Sequence, residues 1–365
     1  MPVRVLINAL HARSGGGVTY LRNLLPRLGA DPGLEVHLCL HESQMGTFPE
    51  PLEGVRLHGV RFRDGFARRL IWEQTALPLL ARRIRAEVTF SPANFGPLLA
   101  PAPVVLLRNA VAVGESETRL SKRLYWKTLD AMTWVSLLRC RRAIAVSNYA
   151  RDALTRRLPP SVARRVEVVH HGVDANFSPP PPGAEREDFL LAVSDLYIQK
   201  NLHRLLDAIA IVRREFPRVS LWIAGGALDQ DYAETLRRTV AERNLGGHVR
   251  FLGHVPARDL ADLYRRCALF VFPSLVETFG NPLVEAMACG APIVSSDATA
   301  MPEVLGDAAL FFDPRDTPVM AERIAVALRD GDLRHRLGES ARARALQFSW
   351  DETARRTVRV LLSCA

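Results

Sequence analysis

The chain has 365 residues, of which 48% are hydrophobic and 24% charged, enough for two domains with full cores. Its longest apolar stretch, "LAPAPVVLLRNAVAV", is broken by Arg108 and Asn109 and falls short of the ~18 residues of a membrane-spanning helix. The net charge of +9 is uneven: residues 1–175 hold 25 basic against 14 acidic side chains, and the remainder 23 against 25. A basic first half invites an anionic partner such as lipid headgroups, a phosphorylated lipid or nucleic acid, although a solvated surface accounts for the composition equally well.

The opening "MPVRVLINAL" reads as a first strand rather than a leader. A glycine-rich turn "HARSGGG" and a helix "VTYLRNLLPRL" follow, then apolar runs "LEVHLCL", "VRLHGV", "AEVTFS", "PVVLLRN", "RAIAVS" and "RVEVVH", several separated by helical segments. Continuous apolar strands alternating with helices predict a mostly parallel sheet covered on both faces. Residues 177–188, with four prolines, read as a linker after a first domain of 1–176. A second round of alternation fills 189–345, and 346–365 forms a closing helix expected to cross back to the first domain. The predicted fold is α/β: two doubly wound Rossmann-like domains facing a cleft, with ligands outside the carboxyl ends of the strands. The five cysteines show no C-x-x-C spacing and read as small buried residues of a reducing compartment.

Five local patterns bear on chemistry. "SGGGVTY" (14–20) follows a strand and opens a helix, so Gly16 and Gly17 could let a ligand approach the backbone. It is neither a G-x-G-x-x-G turn nor a P-loop, and a plain tight turn stays open. Asp229 and Asp231 form a D-x-D, read here as helix capping rather than metal binding. The ten histidines offer only one adjacent pair, His170–His171, and no nucleophile elbow exists. Lys200, in "SDLYIQKNLHRLLDAI", is the only lysine after residue 127. A cation entering a helix N-terminus is electrostatically misplaced unless an anion joins it, which favours a phosphate ligand. In "PSLVETFGNPLVEAMACG", Asn281 reads as the N-cap, Pro282 as the first helical residue and Gly290 as the stop. Glu285 then falls in the first turn, where complementing the helix dipole would explain it, and Glu277 lies on the loop leading in.

The stretch "FVFPSLVETFGNPLVEAMACGAPIVSSDATAMPEVLGDAALFFDP", with "GGGVTYLRNLL", "AVSNYARDAL", "GVDANFSP", "QKNL" and "FSWDETA", resembles glycosyltransferase family 4, retaining nucleotide-sugar-dependent enzymes of GT-B fold. The family's E-x7-E element corresponds to Glu277 and Glu285. The resemblance implies that Glu285 holds the nucleotide ribose and that Glu277 lies against the donor sugar. It also implies that Thr278, Phe279, Gly280 and Asn281 present backbone N–H groups to sugar and diphosphate, and that Lys200 binds the diphosphate without a metal or cofactor. Gly16, Gly17, Ser194 and His254 complete the implied donor site, His254 near the base. Arg108 stands where relatives often carry a histidine, and Ser194, Asp195 and Gln199 where many carry a second arginine.

The implied reaction moves a hexose, foremost mannose from GDP-mannose, to a glycan or polyprenyl-phosphate-linked acceptor in surface polysaccharide or glycolipid synthesis. The implied location is cytoplasmic, peripheral on the inner face of the cell membrane. The basic, aromatic-bearing stretch 119–142 could rest on anionic lipid, or be an ordinary half-buried helix. Rival readings are a UDP- or dTDP-sugar enzyme of the same fold, a nucleotide-sugar epimerase, and an NAD-dependent dehydrogenase, whose glycine fingerprint the first turn lacks. No module for nucleic acid is recognisable.

Overall fold

The computed structural model describes every residue except Ser14, 49–51, Asp64, 109–119 and Pro182, and the side chains of 120–123. Asn109 and the start of the 119–142 stretch therefore lie outside the described residues. The chain forms two compact units, Met1–Gly172 with Ser349–Ala365, and Val173–Phe348.

In the first unit the strands are β1 (Val3–Asn8), β2 (Leu34–His41), β3 (Val55–Val60), β4 (Val88–Ser91), β5 (Pro103–Leu107), β6 (Arg142–Ala145) and β7 (Val166–Val168). Between them run helices α1 (Gly15–Gly29), α2 (Phe66–Arg83), α3 (Leu120–Arg139), α4 (Asn148–Thr155) and α5 (Pro160–Ala163). The sheet order is β3-β2-β1-β4-β5-β6-β7, and every neighbouring pair is parallel. Central strands such as Val104–Leu107 are buried on both faces, as parallel sheets require. On α3 the large side chains Leu124, Tyr125, Val135 and Leu138 are exposed, while Leu137 is buried. Among the described residues no helix is long and apolar enough to cross a membrane.

The second unit repeats the plan with β8 (Glu187–Val193), α6 (Leu202–Val212), β9 (Ser220–Ala224), α7 (Gln230–Glu242), β10 (Val249–Gly253), α8 (Ala257–Arg266) and β11 (Cys267–Phe272). It continues with α9 (Asn281–Ala288), β12 (Ile293–Ser296), α10 (Met301–Leu305), β13 (Ala309–Phe312), α11 (Thr317–Arg329) and α12 (Gly331–Ala345). Its sheet order, β10-β9-β8-β11-β12-β13, is again all parallel. Leu202, Leu205, Leu206, Ile209 and Val212 form the apolar stripe of α6, at helical spacing, and join the core with Leu190, Leu269, Met320 and Ile324.

The closing helix α13 (Trp350–Leu362) belongs to the first unit. Trp350 packs there against Tyr20 and His171, at 5.9 and 5.4 Å between ring centroids. Thr353 Oγ1 donates to the His170 carbonyl at 2.7 Å, and a Cβ on Gly172 would lie 2.0 Å from the Trp350 backbone nitrogen, so only glycine fits. The division between units falls earlier than the proline run suggests. Phe177 is buried against Tyr264, at 6.0 Å, and Arg265 donates to the Asn176 and Ser178 carbonyls, so 173–178 are already bound to the second unit.

Both sheets reverse their winding between the first and fourth strand. That switch point lies between β1 and β4 in one unit and between β8 and β11 in the other. At such a point the loops leaving the carboxyl ends diverge and open a crevice.

Candidate active site

In the second unit, Lys200 ends a single 3-10 turn (Ile198–Lys200) just past β8. Its Nζ lies 2.6 Å from Glu277 Oε1 on the loop leaving β11, with 12% and 14% of the two side chains exposed. The two residues thus meet across the switch point. Burial works against the ammonium, but the Glu277 carboxylate and the Tyr197 side chain outweigh it and hold Lys200 above its ordinary pKa. The Tyr197 ring lies under the ammonium at 5.3 Å. The anion that the misplaced cation called for is therefore supplied in part by the protein itself.

The surrounding backbone is braced from three sides. Leu275 N donates to the Gln199 carbonyl at 2.8 Å, and Glu277 N to Thr299 Oγ1 at 3.0 Å. Asn201, in the left-handed region at φ 58°, reaches the Pro273 and Pro314 carbonyls with its amide nitrogen at 3.0 and 2.7 Å. Gly225 allows the β8 and β9 loops to touch: its φ is 153°, and a Cβ would meet the Ser194 carbonyl oxygen at 1.9 Å. Asp195, one of the positions where many relatives carry arginine, accepts from Gly226 N at 2.9 Å.

The turn into α9 departs from the sequence-based expectation. Gly280, not Asn281, is the N-cap, at φ 86° and ψ 71°, and as a glycine it makes no side-chain cap bond. Asn281 is the first helical residue because glycine reaches this left-handed conformation without a Cβ clash. A glycine at this place offers no side-chain acceptor to the leading N–H groups of α9, which suits the position to an anion. Glu285 falls one position deeper in the helix than expected, past a first turn that holds no acid, so the helix dipole does not explain it. It accepts from the Tyr264 hydroxyl at 3.2 Å. Burial pushes its pKa up to about 7, the Tyr264 hydrogen bond offsets part of that, and Asp174 adds to the rise. Gly290, at φ 66°, ends the helix as expected.

In the first unit the structure joins two other expected residues. Arg108 lies just past β5, and a Cβ on Gly17 would come within 2.6 Å of its guanidinium. Gly17 is buried at the start of α1 and leaves room for that group, whereas Gly16 is exposed. Burial lowers the Arg108 pKa from its ordinary value, and Arg108 N donates to Asn94 Oδ1 at 2.8 Å.

Two family models match this chain in succession: Glycosyltransferase Family 4 over residues 14–177 and Glycosyl transferases group 1 over 174–344. The chain belongs to glycosyltransferase family 4. It is 35% identical over 173 residues to O-antigen chain mannosyltransferase B of Escherichia coli, covering 47% of this chain and 45% of that protein. The matched part is thus less than half of that relative. Among solved structures, the chain superposes on sucrose-phosphate synthase from Thermosynechococcus elongatus with a TM-score of 0.78, at 21% identity and full coverage of both chains. It superposes on Anabaena Alr3699/HepE in complex with UDP-glucose with a TM-score of 0.77, at 18% identity and 99% coverage of both. The GT-B fold follows from these likenesses.

Within this family 4 chain, Lys200 and Glu277 form one cluster, and Glu285 forms another with Tyr264. Thr278 and Phe279 lie on the turn between Glu277 and α9, Phe279 buried with its ring 5.7 Å from Phe348. His254 is exposed just past the end of β10 and is part of neither cluster. Asp229 caps α7, accepting from Tyr232 N, which is the ordinary helix-capping role expected of the D-x-D. Tyr264, Thr299 and Asn201 were not visible as site residues in the sequence; of these only Asn201 had a signal, lying in "QKNL" beside the lysine.

Glu285 makes stability pH-dependent. With a folded pKa of about 7 against an ordinary 4.5, the native state binds more protons than the unfolded chain between those values. Stability therefore falls as pH rises through that window, by up to about 3 kcal/mol at 1.36 kcal/mol per pKa unit. Glu285→Gln should remove this slope: urea unfolding should give a variant about 1–3 kcal/mol more stable than the parent at pH 8 and no more stable below pH 4. Parallel profiles for parent and variant would contradict the assignment.

Proposed function

We propose that the chain is a retaining hexosyltransferase that moves mannose from GDP-mannose to a hydroxyl of a glycan or lipid-linked acceptor. The observation that carries this reading is the Lys200–Glu277 pair at the switch point, with Glu277 on the loop that leads into the glycine-capped N-terminus of α9. The homology to an O-antigen mannosyltransferase supports the choice of sugar.

In this reading each residue meets one part of the donor. Lys200 and the first N–H groups of α9 face the diphosphate, whose negative charge grows as the C1–oxygen bond to it loosens. Preorganised positive charge is worth most there, because it is stronger against the transition state than against the bound donor. Lys200 can supply that charge without a metal. Glu277 accepts hydroxyl hydrogen bonds from the sugar while keeping Lys200 in place. Glu285, already accepting from Tyr264, takes the ribose hydroxyls, and their protons favour its ionised form. The acceptor oxygen bonds to C1 on the face the leaving group departs from, and its proton passes to the departing phosphate oxygen. Configuration is thereby retained. The side chains of Leu124, Tyr125, Val135 and Leu138 exposed along α3 suit a lipid-linked acceptor held at an anionic membrane surface.

Calorimetry in EDTA with GDP-mannose, UDP-glucose and dTDP-glucose tests the donor. GDP-mannose alone should bind, about tenfold more weakly after Lys200→Ala and by one to two decades after Glu285→Ala, the range expected for ~1.5–3 kcal/mol of charged hydrogen bond. Preference for UDP-glucose, the ligand of the Anabaena neighbour, would instead favour a glucosyltransferase. Cosedimentation with anionic vesicles should succeed and fail after Leu124→Glu with Leu138→Glu; vesicle binding unaffected by the changes would remove α3 from the lipid contact.

A further inference from the structure

The first unit holds a buried group at its own switch point that the donor chemistry does not use. Glu73 lies on α2 with its side chain fully enclosed, on the same helical stripe as Leu77 and Ala81. Both of its oxygens accept hydrogen bonds: Oε1 from Asn8 Nδ2 at 2.7 Å and Oε2 from His11 Nε2 at 2.8 Å. Asn8 ends β1, and its amide also lies 3.4 Å from Ser91 Oγ at the end of β4. The loop that carries His11 is held by Gln44, whose amide nitrogen donates to the Ala9 and Ala12 carbonyls at 2.8 and 2.9 Å. The His11 ring stands edge-on to Phe95 at 4.9 Å, with 11% of its side chain exposed.

A fully enclosed carboxylate is costly, and a neutral amide of the same shape would bridge two donors less well. What the carboxylate provides and an amide does not is acceptance at both oxygens. In the neutral ring that puts the His11 proton on Nε2 and leaves Nδ1 as an acceptor, with no hydrogen bond to any described residue. A lone pair beside an apolar ring suits a neutral O–H donor; a phosphate or carboxylate brings no proton to it.

We propose that His11 Nδ1 accepts the hydrogen bond of an acceptor-substrate hydroxyl, with Phe95 as the apolar wall against the sugar ring and Glu73 as the positioning residue that sets the tautomer. This rests on the hexosyl-transfer reading above. Glu73→Gln is the informative change. Asn8 still needs an oxygen, so the new amide nitrogen faces His11 Nε2 and drives the ring proton to Nδ1, turning an acceptor into a donor without removing any atom of the ring.

The test uses the full chain with GDP-mannose as donor and methyl α-mannoside as acceptor probe, together with 15N-histidine NMR. His11→Ala and Glu73→Gln should raise the mannoside KM about tenfold or more while GDP affinity stays within about twofold. In the parent, NMR should show protonated Nε2 and an unprotonated Nδ1 whose resonance moves on mannoside addition; in Glu73→Gln the two nitrogens should exchange roles. A parental mannoside KM in both variants, a protonated Nδ1 in the parent, or an Nδ1 resonance indifferent to mannoside would overturn the proposal. A parent that binds no nucleotide would instead count against the hexosyl-transfer reading, and the Nδ1 resonance would still decide for or against His11 independently.

Discussion

An ammonium and a carboxylate 2.6 Å apart, each mostly enclosed, are the contact around which the second unit is arranged. Two charges taken this far out of water cost several kcal/mol each unless they are paired and hydrogen-bonded with good geometry. The neighbouring backbone meets that demand. Asn201 accepts a left-handed conformation so that Lys200 can sit in its turn, and its side chain ties that turn to Pro273 at the end of β11. Thr299, also at positive φ, fixes the nitrogen of Glu277 from the next loop. Three loops from three strands are thus committed to holding one pair, a strong constraint for a contact that adds little to folding stability. In the proposed reading its value lies in having a positive charge already in place for the donor's diphosphate.

The two units share a strand order through their first six strands, and each places a cluster of hydrogen-bonded polar side chains where the winding reverses. Their electrostatics differ. The second unit offers an ion pair and a carboxylate whose pKa is raised to about 7. The first offers a partly buried arginine against Gly17 and a histidine held by an enclosed glutamate. A charged leaving group suits the former and a neutral hydroxyl suits the acceptor-only nitrogen of the latter. That division of labour fits a reaction joining a nucleotide sugar to an alcohol.

Most of the fold was legible because both sheets are parallel and buried: runs such as "PVVLL" and "CALFVF" are apolar without interruption and have few other uses. The strand order was not legible, since every strand carries much the same side chains and the crossovers alone decide their sequence in the sheet. The pairing of Lys200 with a carboxylate 77 residues away could not be read from spacing; only the oddity of a cation at a helix entrance was visible. For Glu285 the dipole explanation that its spacing offered does not hold. Assigning the cap to Asn281 shifted the helix by one residue, and a dipole partner was expected where a desolvated acid stands. The proline run drew the domain boundary too late because composition marks where a chain is stiff, whereas Phe177 and the carbonyls held by Arg265 decide what it is attached to. For Glu73 the one signal was a carboxylate on an apolar helical stripe, which is faint without the histidine it meets.

If Glu277 holds Lys200 in readiness for a diphosphate, the carboxylate and the ligand's phosphates compete for the same cation. The direct measurement is GDP affinity by calorimetry across Lys200→Ala, Glu277→Gln and the double variant. Lys200→Ala should weaken GDP, Glu277→Gln should tighten it by about threefold to tenfold because a repelling charge is gone, and that gain should vanish in the double variant. Glu277→Gln weakening GDP as much as Lys200→Ala does would contradict this arrangement, because the carboxylate would then be part of the nucleotide's own binding site and not the holder of its cation.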